Sequence, residues 1–143
     1  MLLSGLTMQR EKPLNVSALI VTRNNSDGVT EILNVRAHNK SIYGFPGGKM
    51  EDDETPEQAI VRETIEELGA EPTHVHRLGT YTALTPESRE ITMHVFSGTV
   101  TGDIAPNAEI AELHWMTHQQ MADNAYLLTP MTLDHVMPLL ENL

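Results

Sequence analysis

The sequence predicts a single α/β domain, residues 1–143, whose mixed sheet is covered on both faces. Three observations support this. Apolar runs of strand length, rich in β-branched residues, alternate with segments of helical spacing. Two of the strand pairs are hairpin-like, which calls for antiparallel neighbours. A capped amphipathic helix interrupts the strands early and needs a sheet face to bury its apolar side. A chain of 143 residues is long enough to enclose a core.

The elements follow in order. Leu14 to Thr22 is apolar and β-branched enough for a buried strand. Asn24-Asn25-Ser26-Asp27-Gly28 is a turn signal, and Val29 to Ala37 reads as the returning strand, with Ile32, Leu33 and Val35 apolar. Thr55 is placed as an N-cap, Pro56 as the first helical residue and Gln58 as the partner in a capping box. The helix is expected from Pro56 to Leu68, with Gly69 as its left-handed stop. Strands are expected at His74 to Ala83, Glu90 to Val100 and Ile110 to Met116. Thr117 caps a short helix over His118 to Ala122. Thr129 and Pro130 open a last helix carrying Leu133, Val136, Met137 and Leu140, which Pro138 kinks or ends early.

The helix from Pro56 carries three glutamates within five positions, Glu63, Glu66 and Glu67. At about 100° per residue, Glu66 lies near 300° and Glu67 near 40° from Glu63. Val61, Ile65 and Leu68 fall at roughly 160°, 200° and 140°, so one face is expected to bury and the other to gather negative charge. Like charges at this spacing repel by a few tenths of a kcal/mol per pair. A hard divalent cation would compensate them.

Gly48, Glu54, Arg62, Glu63, Glu66, Glu67 and Gly69 occur in the order Gly-x5-Glu-x7-Arg-Glu-U-x-Glu-Glu-x-Gly-U, where U is bulky and aliphatic. This pattern resembles the Nudix box. Thr64 and Ala70 occupy its two aliphatic positions and are the weaker matches. The preceding Tyr43-Gly44-Phe45-Pro46-Gly47 is similar to the aromatic-Pro-Gly-Gly lead-in of that family. The resemblance implies a Nudix-type α/β/α sandwich with the box as loop, helix and loop. It implies Mg2+, with Mn2+ as an alternative, held by Glu63, Glu66 and Glu67 with a backbone carbonyl of Gly47 or Gly48. The cofactor's preference for oxygen ligands and retained water suits such a set.

The reaction implied is attack of water on phosphorus in a nucleoside diphosphate derivative. The leading substrate class is a (d)NTP or oxidised (d)NTP, cleaved by a MutT-like pyrophosphatase to the monophosphate and pyrophosphate. ADP-ribose or a sugar nucleotide is the alternative, suggested by Pro86 sixteen positions after the box. A Nudix-fold nucleotide sensor without catalysis is a third reading, against which the intact box argues. Glu66, Glu67 and a carboxylate outside the box are candidates for general base. Glu109 and Glu112 precede the Leu113-His114-Trp115-Met116 strand, and Glu112 is taken as that outside carboxylate. Arg62 is expected to orient the carboxylates through Glu66 or Glu54. Arg23, Arg36 and Lys49 are the cations placed to hold phosphate.

Composition narrows the partners. A net charge of -11 argues against long nucleic acids, whose binding depends on Lys and Arg. A small nucleotide arriving with its own cation is compatible with it. The chain has no cysteine, so disulfides and thiol catalysis are excluded. No apolar run approaches the roughly 20 residues that span a bilayer. Met1-Leu2-Leu3 lacks a basic leader, so a cytoplasmic location without membrane attachment is expected. His74, His76, His114 and His118 lack the spacing of a closed zinc site. A homodimer is common among proteins with this box.

Overall fold

A computed structural model describes residues 12–84, 87–129 and 132–140. The expectations placed on Met1 to Leu3, Pro86 and Pro130 lie outside those residues. Strand β1 (Leu14–Asn24) is the centre of a six-stranded mixed sheet. Along one edge it pairs in parallel with β5 (Glu90–Val100), from Leu14 opposite Ile91 to Val21 opposite Gly98. Its other edge is shared. Val16 to Ala18 pair antiparallel with the short β3 (Gly47–Lys49), whereas Thr22 to Asn24 pair with β2 (Thr30–Ala37). Antiparallel β4 (Pro72–Leu84) and β6 (Ile110–Thr117) complete the order β4-β5-β1-β2-β6.

The strand ends extend a residue or two past the sequence limits at Asn24, Pro72 and Thr117. β3 was not foreseen. Its Gly-Gly-Lys sequence has almost no strand propensity, and β1 supplies the hydrogen bonds that make it one. The hairpin turn follows its residues: Asn25 Oδ1 accepts from the backbone of Asp27 at 2.9 Å and of Val29 at 3.0 Å.

The period-two alternation of β1 feeds two cores. Leu19 and Val21 pack with Leu33, Val35, Phe96 and Ile110 on the face covered by helix α1 (Pro56–Leu68), through Ile60 and Leu68. Ile20 packs with Ile32, Val95 and Met116 on the opposite face. There the cover is Met121 of α2 (His118–Asp123), then Leu128, Val136 and Leu140. The α/β/α sandwich is therefore built by one sheet with a different helical layer on each side. Among the described residues no helix is long and apolar enough to cross a membrane.

The last helix differs from expectation. Thr129 does cap it, its hydroxyl accepting from the Thr132 N–H at 3.2 Å. The segment Thr132–Val136 is a π turn, and among the described residues of this segment Met137–Leu140 alone is α-helical, as α3. Pro138 has no N–H for the carbonyl four residues earlier and its ring crowds that carbonyl. A widened turn relieves both conflicts.

Helix α1 ends as its sequence says. Thr55 and Gln58 form both bonds of the capping box, at 3.1 and 3.0 Å, and Gly69 takes φ 73°. Thr55→Ala removes one of these bonds and leaves an N–H of the first turn unpaired. It should lower unfolding free energy by about 1 kcal/mol, with an unchanged urea m-value; equilibrium urea unfolding measures both.

Candidate active site

The inner side of α1 is not the apolar face expected from the helical wheel. Ala59, Ile60, Thr64 and Leu68 are buried, and between them so are Glu63 and Glu67. Ile65, expected inside, is 46% exposed. Two carboxylates thus point under the sheet edge formed by β3. Thr64 tolerates its buried position because its hydroxyl donates to the Ile60 carbonyl at 2.6 Å.

The glycine pair makes room for them. Gly47 adopts φ 142°, and its N–H donates to Glu67 Oε1 at 2.7 Å. A Cβ on Gly48 would lie 2.8 Å from the Glu63 carboxyl carbon, so any side chain there would displace that carboxylate. Ser17 fixes the same corner from β1, its hydroxyl donating to the Pro56 carbonyl at 2.9 Å.

Glu109 is the third member. Loop residues before β6 cap the C-terminus of α1: Asn107 N–H donates to the Glu67 carbonyl at 2.9 Å and Ala105 N–H to Leu68 at 3.2 Å. His38 N–H holds the Glu109 carbonyl at 2.9 Å. Carboxylate oxygens of Glu63, Glu67 and Glu109 consequently lie within 4.8 Å of one another, two of the residues buried and one exposed. Burial raises the Glu63 carboxyl above its ordinary value, against the opposing pull of Arg62. Burial also pushes Glu67 up to about 9. The Gly47 N–H opposes this, and the Glu109 hydrogen bond with the charges of Glu63 and Glu109 adds to it.

Three oxygen donors without a histidine suit a hard divalent cation and not zinc. With its carboxyl pushed up to about 9, Glu67 keeps a proton at neutral pH, and a divalent cation in the corner would displace it and pair the charges. Of the three acids, Arg62 supplies a countercharge only to Glu63. Its guanidinium grips Glu54 bidentately, at 2.6 and 2.8 Å, and donates to the Lys49 carbonyl at 3.0 Å. A single nitrogen reaches Glu63 at 3.1 Å and Glu66 at 3.4 Å. Glu54, the orienting partner expected for Arg62, also accepts from the Glu51 N–H at 2.8 Å. Its pKa falls to about 2, chiefly through Arg62 and then that backbone bond.

Several expected residues stand elsewhere. Glu66 is half exposed and turned outward onto Arg62, so it does not join Glu63 and Glu67. Its position on the wheel, about 60° to the other side of Glu63 from Glu67, carries it past the buried sector. Glu112 is likewise outside the cluster. It pairs with Arg36 at 3.4 Å and accepts from the Tyr43 hydroxyl at 2.9 Å, because residue 112 points to the face opposite α1. Glu109 takes the place expected for it. The sequence names Glu109 beside Glu112 without choosing between them, and the helix-capping loop decides for residue 109.

Of the three expected phosphate cations, Lys49 is exposed directly beside Gly48. Arg36 is turned away, donating to the carbonyls of Ala37 and Lys40 at 3.1 and 3.0 Å. Arg23 sits five residues along β1 from the Ala18–Gly47 pair, roughly 16 Å of strand. It stacks over Trp115 at 4.2 Å and pairs with Glu31 at 2.9 Å.

A carboxylate helix held under a glycine strand of a mixed, helix-covered sheet defines a Nudix-type pyrophosphohydrolase. Residues 12–138 match the NUDIX domain, and the chain belongs to that family. It is similar to an 8-oxo-dGTP diphosphatase of Proteus vulgaris, 35% identical over 89 residues, 62% of this chain and 79% of the relative. A second such diphosphatase, from Escherichia coli K12, is 41% identical over 63 residues, 44% of this chain and about half (49%) of the relative. In three dimensions the chain resembles the E. coli ORF135 protein in solution, with TM-score 0.69 and 30% identity over 91% of this chain and 87% of that one.

The Glu54–Arg62 pair has a pH signature. A carboxyl held at about 2 when folded, against 4.5 ordinarily, adds stability that is fully present above 4.5 and lost as pH falls through about 2. Glu54→Gln should therefore flatten the loss of unfolding free energy between those two pH values. Urea unfolding of both proteins at several acid pH values tests this.

Proposed function

We propose that this chain, residues 1–143 acting as one Nudix domain, is a Mg2+-dependent nucleoside triphosphate pyrophosphohydrolase that releases a monophosphate and pyrophosphate. Oxidised deoxynucleoside triphosphates belong to this substrate class. The observation that carries the reading is the Glu63–Glu67–Glu109 cluster packed against Gly47 and Gly48. The relatives from Proteus vulgaris and E. coli named as 8-oxo-dGTP diphosphatases support the choice of triphosphate over ADP-ribose. Mn2+ fits the same oxygen set.

Glu63, Glu67 and Glu109 would hold the cation, with a backbone carbonyl of Gly48 as a neutral donor. The metal, when bound, offsets charge developing on the phosphoryl oxygens and lowers the pKa of a water. The residues of the chain do the rest. Arg62 locks the helix to the 49–54 loop, so the glutamates keep their spacing. Lys49, exposed next to the glycines, is placed to meet a phosphate oxygen. Glu66 stands one guanidinium away from Glu63, outside the ligand set, where its carboxylate can take the proton of the attacking water.

Glu67→Gln and Glu109→Gln should each lower kcat at least about a hundredfold on a nucleoside triphosphate, and excess chelator should abolish turnover of the wild type. Glu66→Gln should lower kcat while leaving Mg2+ affinity, read by calorimetry, unchanged. Full activity of Glu67→Gln, or turnover indifferent to chelator, refutes the assignment. Phosphorus NMR in 18O-labelled water identifies both products and the phosphorus attacked.

A further inference from the structure

The sheet face opposite α1 carries polar side chains that neither the core nor the carboxylate cluster uses. Their layout follows from register. On β2 and β6, Arg36 lies opposite Glu112, Asn34 opposite His114 and Ile32 opposite Met116. The Val35–Gly44 bridge, with bonds of 2.8 and 2.9 Å in both directions, sets the 42–45 segment along the other edge of β2. Tyr43 is thereby brought beside Arg36, and Phe45 beside Asn34. Two parallel rows result, Tyr43–Arg36–Glu112 and Phe45–Asn34–His114.

Asn34 is anomalous within them. It is fully buried. Its Nδ2 donates to the Ile32 carbonyl at 3.2 Å, which fixes the amide orientation. Its Oδ1 has no partner among the described residues. A buried acceptor left unpaired is costly and uncommon, and a ligand donor is one way to satisfy it. Its neighbours are held in place by one another, and Tyr43 and Phe45 also pack against the second core. Tyr43 donates its hydroxyl to Glu112, and burial followed by that hydrogen bond keeps its phenol above the ordinary value and therefore protonated. Arg36 braces Glu112 from the other side. The rings of Tyr43 and His114 meet edge to face with centroids 5.7 Å apart, and His114, exposed, places its Nδ1 3.6 Å from Glu112.

The same segment runs straight into the proposed metal corner. Phe45 precedes Gly47 by two residues and Tyr43 precedes it by four, about 7 and 13 Å of extended chain. A nucleotide with its phosphates at the glycines reaches this far with its base. We propose that Asn34 is a specificity-determining residue whose carbonyl oxygen accepts a hydrogen bond from an exocyclic amine of the bound nucleobase, beside a wall formed by Tyr43 and His114. Glu112 and Arg36 are positioning residues that hold the Tyr43 ring. This rests on the nucleotide reading above and narrows it to bases that present an amine where a competitor presents a carbonyl or a hydrogen.

Three substrate pairs test the idea: GTP and ITP, which differ only in an exocyclic amine, and CTP and UTP, ATP and ITP, in which the amine replaces a carbonyl and the adjacent ring nitrogen changes from donor to acceptor. In at least one pair the wild type should favour the amine by about tenfold or more in kcat/KM, the value of a single neutral hydrogen bond. Asn34→Leu should erase that preference while retaining or raising Tm, since an apolar isostere removes the unpaired acceptor. Independently of any variant, the Asn34 side-chain amide resonances should shift when the monophosphate product bearing the preferred base is titrated in. No amine preference in any pair, a preference unchanged in Asn34→Leu, or Asn34 resonances that stay put overturns the proposal. A wild type that hydrolyses none of the nucleotides instead refutes the function it rests on.

Discussion

Burial of Glu63 and Glu67 on the inner side of α1 is the constraint around which this fold is arranged. A helix face that should be apolar carries two acids, and taking charged groups out of water is costly unless they are paired. Every nearby feature bears on that problem. Gly47 supplies a backbone donor where no side chain fits, Gly48 leaves the space that the Glu63 carboxylate fills, and the loop before β6 adds a third acid in place of a countercharge. A corner built in this way is unfavourable by itself and favourable with a divalent cation.

The position of β3 follows from the same constraint. β1 offers its upper edge to β2 only from Thr22 onward, and its lower edge to three residues with glycine in two of them. Had β2 continued along β1, a regular strand with side chains would cover Ser17 and Ala18, and neither glutamate could approach the backbone. Dividing the edge lets the main chain of Gly47 and Gly48 stand over the helix. It also leaves the 42–45 segment to pair with β2, so that one extended run lines the carboxylate corner at its end and the Asn34 row at its beginning.

What was legible in the sequence is what local chemistry determines. The Thr55–Gln58 box, the Asn25 turn, the Gly69 stop and the box spacing are short-range patterns, and each appears where the residues place it. The carboxylate partner was legible only as one of two, Glu109 or Glu112, because Glu109 is delivered by hydrogen bonds between a loop and the end of α1, forty residues apart in sequence at Glu67 and Asn107. Glu112 was the more attractive choice from its place near the strand, yet strand alternation sends it to the other face. The wheel failed at Ile65 for a related reason: hydrophobicity predicts a buried face only when burial is driven by hydrophobicity, and here the inner sector is claimed by acids. Arg23 and Arg36 lie near the glycines in sequence, yet both are held by carboxylates or carbonyls that the folded sheet brings near.

The choice of partner for Arg62 explains why the corner stays acidic. Its fork could have bound Glu63 and Glu67 side by side, which would have neutralised the corner permanently. Instead the bidentate edge goes to Glu54, leaving one nitrogen for Glu63 and none for Glu67. The arginine thus fixes the helix to its loop and pairs with Glu63 and Glu66, but gives Glu67 and Glu109 no countercharge. What supplies one must be exchangeable, and a chain of net charge -11 repels a bare polyphosphate. An anion arriving together with a divalent cation would meet both conditions, the acidity of the whole chain and that of its corner.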